Sequence, residues 1–163
     1  MEETVPMDLV GVRIEYPTNQ PIVLLRESHG TRYLAIWIGA AEATAIAYAL
    51  EGVNPHRPFT HDLLRIATEL LGGEVTRVTV TELRESVYYA DLVITQNEKA
   101  IHVSSRPSDA IALAARTGAP VFASIDVLDE AGIEIKDDQE EAEVEAFREF
   151  LEDLSPEDVQ SGS

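Results

Sequence analysis

The amino-acid sequence predicts an α+β fold: a mixed or antiparallel sheet with two or three buried helices and an acidic C-terminal helix. Three observations predict it. Strand-like segments occur in two blocks, and helical segments rich in alanine or leucine follow each block. Glycine and proline clusters mark the boundaries between segments. Strands grouped in this way, rather than alternating one by one with helices, are typical of the α+β class.

The first block contains three predicted strands. Residues 5–16 alternate apolar and polar side chains in their second half, which is typical of a half-buried strand. Residues 22–26 and 32–38 are the second and third strands, and the turn residues 28–30 join them as a hairpin. The apolar side of the first strand comprises Val10, Val12, Ile14 and Tyr16, with Arg13 on the opposite side.

Two helices are predicted between the strand blocks. Residues 40–50 are rich in alanine and apolar on all sides, which indicates a buried helix. Its acid, Glu42, lies in the first turn, where it either complements the helix dipole or serves a functional site. Thr60 is the predicted N-cap of a second helix over 60–71, which a pair of glycines ends. The apolar stripe of this helix comprises Leu63, Leu64, Ile66, Ala67, Leu70 and Leu71.

The second block also contains three predicted strands. They cover residues 74–83, 88–94 and 100–104, and turns are predicted at 82–86 and 97–99. The middle strand has the strongest pattern, because aromatic and β-branched side chains dominate it. This block therefore resembles the first in its hairpin connections.

Three helices and a short strand are predicted in the rest of the chain. The helix over 105–116 is apolar at nearly every position in its middle, so it is buried, and Ser105 is its predicted cap. A short strand over 121–123 precedes a short helix over 124–130, whose first serine is the cap. The acidic helix over 138–153 has one apolar side, which contacts either the rest of the protein or a partner.

The composition indicates a globular protein of one domain with a short appendage. The 163 residues are 45% hydrophobic, and no apolar run approaches the roughly 20 residues of a membrane span. The chain has no cysteine, which excludes disulfides, thiolate metal sites and cysteine nucleophiles. The first residues lack the basic and apolar regions of a secretory signal. A cytoplasmic protein is therefore expected.

The charge of the chain is strongly negative and unevenly distributed. The formal net charge is −18. Residues 137–163 hold eleven acids and one arginine, a net −10, and residues 1–136 hold nineteen acids and eleven bases, a net −8. Such a protein repels polyanions at long range, which argues against tight, non-specific binding of nucleic acid.

Polar side chains concentrate at the predicted starts of the helices. The phosphate-binding, zinc-protease and serine-hydrolase motifs GxxxxGK[ST], GxGxxG, HExxH and GxSxG are absent. If the helix starts converge, their side chains offer an imidazole for proton transfer, carboxylates for a divalent metal and arginines for a phosphoryl group. Alternatively, Arg106 and Asp109 form only a structural ion pair. The candidate residues are Glu42, Arg57, His61, Asp62, Arg106, Ser108 and Asp109.

With these residues in place, the chain resembles the bifunctional nuclease domain proteins of bacteria and plants, and in particular an actinobacterial type of member. The order and spacing of the matching segments, rather than any one of them, make the resemblance specific over residues 7–130. The matching segments are WIGAAEA (37–43), RPFTHDLL (57–64), YADL (89–92), RPSDA (106–110) and GAP (118–120).

The resemblance implies a nuclease-like domain over residues 1–136, followed by an acidic helix and frayed tail over 137–163. It implies an α+β fold of its own type, a homo-oligomer that we expect to be a dimer, and cleavage of both DNA and RNA. Mg²⁺ or Mn²⁺ is the expected cofactor. The assigned roles are general base or acid for His61, metal-binding or orienting carboxylates for Asp62, Asp109 and Glu42, phosphate contacts for Arg57 and Arg106, and a substrate contact for Ser108.

A second interpretation is a non-enzymatic regulatory or scaffold module. In that case the polar helix starts are ion-paired architecture, and the acidic C-terminal helix binds a protein partner. The acidic charge favours this interpretation, whereas the family resemblance favours the enzyme. A metal that bridges an acidic protein to its substrate would reconcile the charge with nuclease activity.

Overall fold

A computed structural model describes residues 3–135, which contain eight strands and four helices. This confirms the predicted α+β class, and every strand and helix predicted within these residues is present. The acidic helix predicted over 138–153 lies outside the described residues, and the boundary at residue 136 stays a prediction. The strands are β1 (Thr4–Glu15), β2 (Gln20–Glu27), β3 (Arg32–Trp37), β4 (Gly73–Arg84), β5 (Val87–Gln96), β6 (Lys99–Ser105), β7 (Val121–Ser124) and β8 (Ile133–Glu134). The helices are α1 (Ala40–Glu51), α2 (Thr60–Leu70), α3 (Pro107–Thr117) and α4 (Ile125–Ala131).

The two strand blocks form the two halves of one mixed sheet. The strand order is β6-β5-β4-β7-β1-β2-β3-β8. Antiparallel pairs join the strands within each block. The short strand β7 joins the blocks, since it pairs antiparallel with β1 and parallel with β4. The strand β7, which has only a weak sequence signal, therefore connects the two halves of the sheet.

Two hairpin turns in the second block have the same backbone conformation. Glu85 and Ser86 connect β4 to β5 with φ values of 50° and 66°. Asn97 and Glu98 connect β5 to β6 with φ values of 51° and 66°. Two successive residues with positive φ match the right-handed twist of the flanking strands. Both predicted turns are confirmed, although β4 ends at Arg84, one residue beyond the end of the predicted strand.

Strand β1 departs from its predicted alternation. Arg13, expected on the polar side, is buried, and Tyr16, expected on the apolar side, is 56% exposed. Tyr16 lies beyond the end of β1, in the turn to β2. β1 lies between β7 and β2 in the middle of the sheet, and the 9% exposure of Arg13 shows that the polar side of this strand is covered as well as the apolar side.

Helix α3 is the most buried helix, as its sequence predicts. Its residues from Pro107 through Ala114, with the exception of Asp109, are buried. The predicted cap is wrong, because the Ser105 hydroxyl donates to the carbonyl of Arg106 and the helix begins one residue later, without a side-chain cap. The carbonyl oxygen of the next residue competes for the serine hydroxyl, which sequence alone does not reveal.

The start of α2 also differs from its prediction. Thr60 is the first helical residue rather than the cap, and Phe59 occupies the N-cap position. The Asp62 carboxylate accepts a hydrogen bond from the backbone N–H of Phe59 at 3.0 Å, so an acid in the first turn satisfies this end of the helix. The predicted cap of α4 is confirmed, since Ser124 accepts from the N–H of Asp126 at 3.3 Å.

Helices α1 and α2 expose more apolar surface than their patterns suggest. In α1 only one face is buried, and Leu50 is largely in solvent. In α2 the buried residue is His61, whereas Leu63, Leu64 and Leu70 are exposed. Apolar surface of this extent commonly marks a site of association. No helix in residues 3–135 is long and apolar enough to cross a membrane.

Candidate active site

Asp109 joins the starts of α2 and α3. It lies in the first turn of α3, and its Oδ1 atom lies 2.9 Å from Nε2 of His61, in the first turn of α2. Its Oδ2 atom accepts a hydrogen bond from Nε of Arg106 at 2.9 Å. The convergence of helix starts that the site hypothesis requires is therefore present for these three residues.

The start of α1 joins the same group through Glu42. Nη2 of Arg106 donates to Oε1 of Glu42 at 2.7 Å. Glu42, Arg106, Asp109 and His61 thus form one continuous chain of contacts, which we call the polar network. Arg106 is its accessible member, because its side chain is 66% exposed whereas that of His61 is 9% exposed. Within the described residues, Nη1 of Arg106 makes no hydrogen bond.

The environment of Asp109 keeps this carboxyl group ionised. Burial alone raises its pKa, but hydrogen bonds from His61 and Arg106 outweigh that effect, and the pKa lies below its ordinary value. The hydrogen bond to Asp109 likewise raises the pKa of Arg106, with a smaller contribution from Glu42. An ionised carboxylate only accepts hydrogen bonds, so Nε2 of His61 carries the proton of this contact and Nδ1 of the neutral ring is its basic atom.

Asp62 lies beside His61 in α2 but points to a different partner. Its Oδ1 atom accepts a hydrogen bond from Nε of Arg116 at 2.7 Å, and its Oδ2 atom accepts from the backbone of Phe59. The Arg116 side chain is 7% exposed, so this ion pair is buried. These contacts connect α2 to the last turn of α3, and they occupy both carboxylate oxygens. This geometry gives Asp62 a structural role in the packing of α2 against α3, and an orienting, metal-binding or catalytic role for Asp62 stays a prediction.

The remaining two predicted site residues lie outside the polar network. Arg57 is exposed in the loop between α1 and α2, and no hydrogen bond in the described part of the chain joins it to the network. Ser108 is buried in the first turn of α3 and lines a cavity together with Arg106. The structure therefore brings four of the seven predicted residues into direct contact.

Sequence reasoning missed two residues that the structure places near the polar network but outside it. Arg116 gives no local signal, because its partner Asp62 is 54 residues away in the chain. Trp37 is recognisable from the sequence, because it is the one tryptophan and it ends a strand directly before the start of α1. It lines the same cavity as Arg106 and Ser108, and the volume of this cavity is about 570 Å³.

The polar network does not form a metal site in the observed arrangement. No group of three or more potential His, Asp or Glu ligands occurs within residues 3–135. The carboxylates of Glu42 and Asp109, which would suit Mg²⁺, both accept hydrogen bonds from Arg106. The expected Mg²⁺ or Mn²⁺ therefore stays a prediction, and no step below depends on it.

Acid is expected to destabilise the fold through Asp62 and Asp109. Hydrogen bonds lower the pKa of each carboxyl group below the 3.8 of an ordinary aspartate, despite the opposing effect of burial. Each group therefore stabilises the folded state above about pH 4, and this stabilisation is lost as the pH falls through the folded-state pKa. Urea unfolding of wild type between pH 6 and pH 3 measures the loss. Asp62→Asn should show a shallower decline, and an equal slope would contradict this assignment.

Comparison with known proteins identifies the class to which this fold and site belong. A model of the bifunctional nuclease domain matches residues 23–136. An uncharacterized protein of Mycobacterium tuberculosis strain H37Rv is 46% identical over 161 residues, which cover 94% of this chain and 96% of that protein. The chain belongs to the bifunctional nuclease domain family.

Plant relatives of this chain carry a functional name. Bifunctional nuclease 1 of Oryza sativa subsp. japonica is 29% identical over 103 residues, which cover 61% of this chain and 31% of the rice protein. Bifunctional nuclease 2 of the same plant is 27% identical over 115 residues, which cover 68% and 35%. The chain thus spans about a third of the length of these rice proteins.

Proposed function

We propose that this protein is a nuclease that hydrolyses phosphodiester bonds of DNA and RNA with little sequence specificity. The polar network is the observation that carries the proposal, because it combines an imidazole, an orienting carboxylate and an accessible guanidinium. Membership of the bifunctional nuclease domain family and the names of the rice relatives support it.

The residues of the polar network have complementary roles in this reaction. Asp109 accepts the hydrogen bond from Nε2 of His61, which leaves Nδ1 to remove a proton from the attacking water. Arg106 binds the phosphate through the N–H groups that the network leaves free, and neutralises the charge that develops on its oxygens. Glu42 holds the guanidinium in place. Ser108 is expected to contact the substrate from the cavity that it lines with Arg106, and Arg57 from the loop before α2.

The non-enzymatic module is the second candidate, and the internal pairing of Arg106 favours it. Two of the guanidinium nitrogens already contact carboxylates, so Arg106 contributes to the connection between α1 and α3 without any ligand. The net charge of −18 also favours a partner other than nucleic acid. In this account the polar network only stabilises the fold. Substitution of its residues then changes the free energy of unfolding rather than the rate of any reaction.

A cleavage assay separates the two candidates. Wild type and Arg106→Ala, purified in parallel, are incubated with end-labelled single-stranded DNA and RNA, with and without EDTA. The nuclease account expects wild type to cleave both and Arg106→Ala to be slower by about 10²–10³-fold. Equal residual cleavage by both proteins would indicate a contaminant. The EDTA arm tests the predicted need for Mg²⁺ or Mn²⁺.

Gly39→Ala is expected to reduce cleavage without unfolding the protein. A Cβ atom at this position would lie 3.4 Å from the carboxyl carbon of Glu42 and closer still to its Oε2 atom. The backbone of Gly39 is extended, so alanine itself fits there. The Glu42 carboxylate, which holds Arg106, must therefore shift from its observed position, and misplacement by about 1 Å can cost up to roughly 100-fold in rate. Cleavage rate and melting temperature are measured together, and unchanged cleavage would contradict the role of Glu42.

Three broader expectations stay predictions. Homodimer formation is one, and the exposed leucines of α2 supply the apolar character that such an interface requires. Their surface carries the Arg65–Glu69 ion pair, so two copies of an acidic protein could meet there without a local excess of charge. Light scattering on the full chain measures the subunit number. A protein partner at the acidic helix and a cytoplasmic location are the other two.

A further inference from the structure

Trp37 presents an aromatic surface beside the polar network that the proposed mechanism does not use. It is the last residue of β3, paired with Ile22 of β2, so its backbone is fixed within the sheet. Its side chain is 54% exposed, although it lines the cavity of about 570 Å³. A rigid strand therefore holds a large apolar ring open to solvent at this site.

The same cavity is also lined by a cation. Arg106 and Ser108 line it from the start of α3, and Gly39 lines it from the start of α1. Neither helix start is capped by a side chain. Nη1 of Arg106 has no partner within the described residues. An aromatic surface and an available guanidinium in one cavity are the combination that proteins use to bind the bases and phosphates of single strands.

The size of the cavity is compatible with a single nucleotide. Pockets for small ligands measure roughly 300–1,000 Å³, so a cavity of about 570 Å³ has room for a single nucleotide. A base within a duplex is stacked on its neighbours and cannot reach an isolated indole unless it is extruded. The ligand that matches both the ring and the volume is one unpaired nucleotide.

We propose that this cavity binds one nucleobase of a single-stranded nucleic acid, stacked on Trp37, with the adjacent phosphate at Arg106. This inference rests on the proposed nuclease function and adds the mode of substrate binding to it. The site prefers unpaired bases over duplex, and it tolerates any base because every base has an aromatic face.

The tryptophan provides its own probe, because it is the only one in the chain. The ligand is a phosphorothioate-linked thymidine octamer, which keeps the backbone charge and resists cleavage during the titration. The matched ligand is an abasic octamer with the same linkages. We expect the thymidine octamer to quench tryptophan fluorescence and to bind at least about tenfold more tightly than the abasic octamer.

Substitutions test whether the ring is the cause. Anisotropy of fluorescein-labelled octamers should show that Trp37→Ala loses about tenfold in affinity for the thymidine octamer and little for the abasic one. Trp37→Phe should retain most of the affinity. Ile101→Ala, an exposed apolar residue outside the cavity, serves as the control. Equal binding of both octamers, no binding of either, or unchanged affinity of Trp37→Ala would overturn the proposal.

The experiments distinguish failure of the nucleobase site from failure of the proposed nuclease function. Base-dependent binding without cleavage of ordinary single strands would reject the nuclease and leave the nucleobase site in place. Cleavage that is independent of Trp37 and of the presence of bases would reject the nucleobase site and leave the nuclease in place.

Discussion

Replacement of His61 by alanine is expected to lower the rate of phosphodiester cleavage by about 10²–10⁴-fold. In the proposed mechanism the imidazole removes a proton from the attacking water, and the contact of 2.9 Å with Asp109 fixes its orientation. Asp109→Asn should also lower the cleavage rate, but by a smaller factor, because the amide no longer fixes the same tautomer of His61. Initial rates on labelled single-stranded RNA and DNA measure both variants.

The control for this prediction is a histidine outside the network. His102 contacts Asp91 at 2.7 Å on strands β5 and β6, and its side chain is 64% exposed. His102→Ala should therefore cleave at the wild-type rate. A rate for His61→Ala within a few-fold of that of His102→Ala, with both variants folded by circular dichroism, would show that His61 does not transfer the proton.

Replacement of Arg116 by alanine is expected to destabilise the fold by about 3 kcal/mol. The substitution leaves the Asp62 carboxylate, whose side chain is 18% exposed, without the guanidinium that compensates its charge. It also removes the hydrogen bond from Arg116 to the carbonyl of Ala112. For a chain of this size the loss corresponds to a fall of roughly 6–12 °C in Tm. Thermal unfolding monitored by circular dichroism measures it.

An exposed ion pair provides the matched control for Arg116. Arg84 contacts Glu82 at 2.8 Å, but the two side chains are 64% and 49% exposed, so Arg84→Ala should cost about 0.5 kcal/mol or less. If Arg116→Ala is as stable as Arg84→Ala, the pair with Asp62 is not a structural connection between α2 and α3. Because Arg116 lies outside the polar network, Arg116→Ala should keep its cleavage activity below its melting temperature.

The sequence predicts the local elements of this fold because their causes are local. Ser124 lies two residues from the N–H that it caps, and the Asn97–Glu98 turn lies directly between the strands that it connects. The long apolar run of α3 predicts its burial in the same way. A predicted cap is wrong where another hydrogen-bond partner is equally close in the chain. Ser105 is the example, because its hydroxyl donates to the next residue's carbonyl instead of capping the helix.

The sequence does not predict contacts that depend on how distant segments pack. The helix starts carry the right residue types for a site, yet their meeting depends on the contact between His61 and Asp109, 48 residues apart. The division of roles between neighbours is equally non-local, because Arg116 draws Asp62 away from the network that His61 joins. The exposure of Leu70 likewise follows from packing, since its helical pattern alone is typical of a buried face.

Cleavage by the double variant His61→Ala/Arg106→Ala tests the central claim that the polar network is one active site. The rates of wild type, both single variants and the double variant are measured on the same single-stranded substrate after parallel purification. Residues that act as a unit have non-additive effects, so the double variant should be only slightly slower than His61→Ala. A double variant slowed by the product of the two single effects, or one that cleaves at the wild-type rate, would contradict the claim.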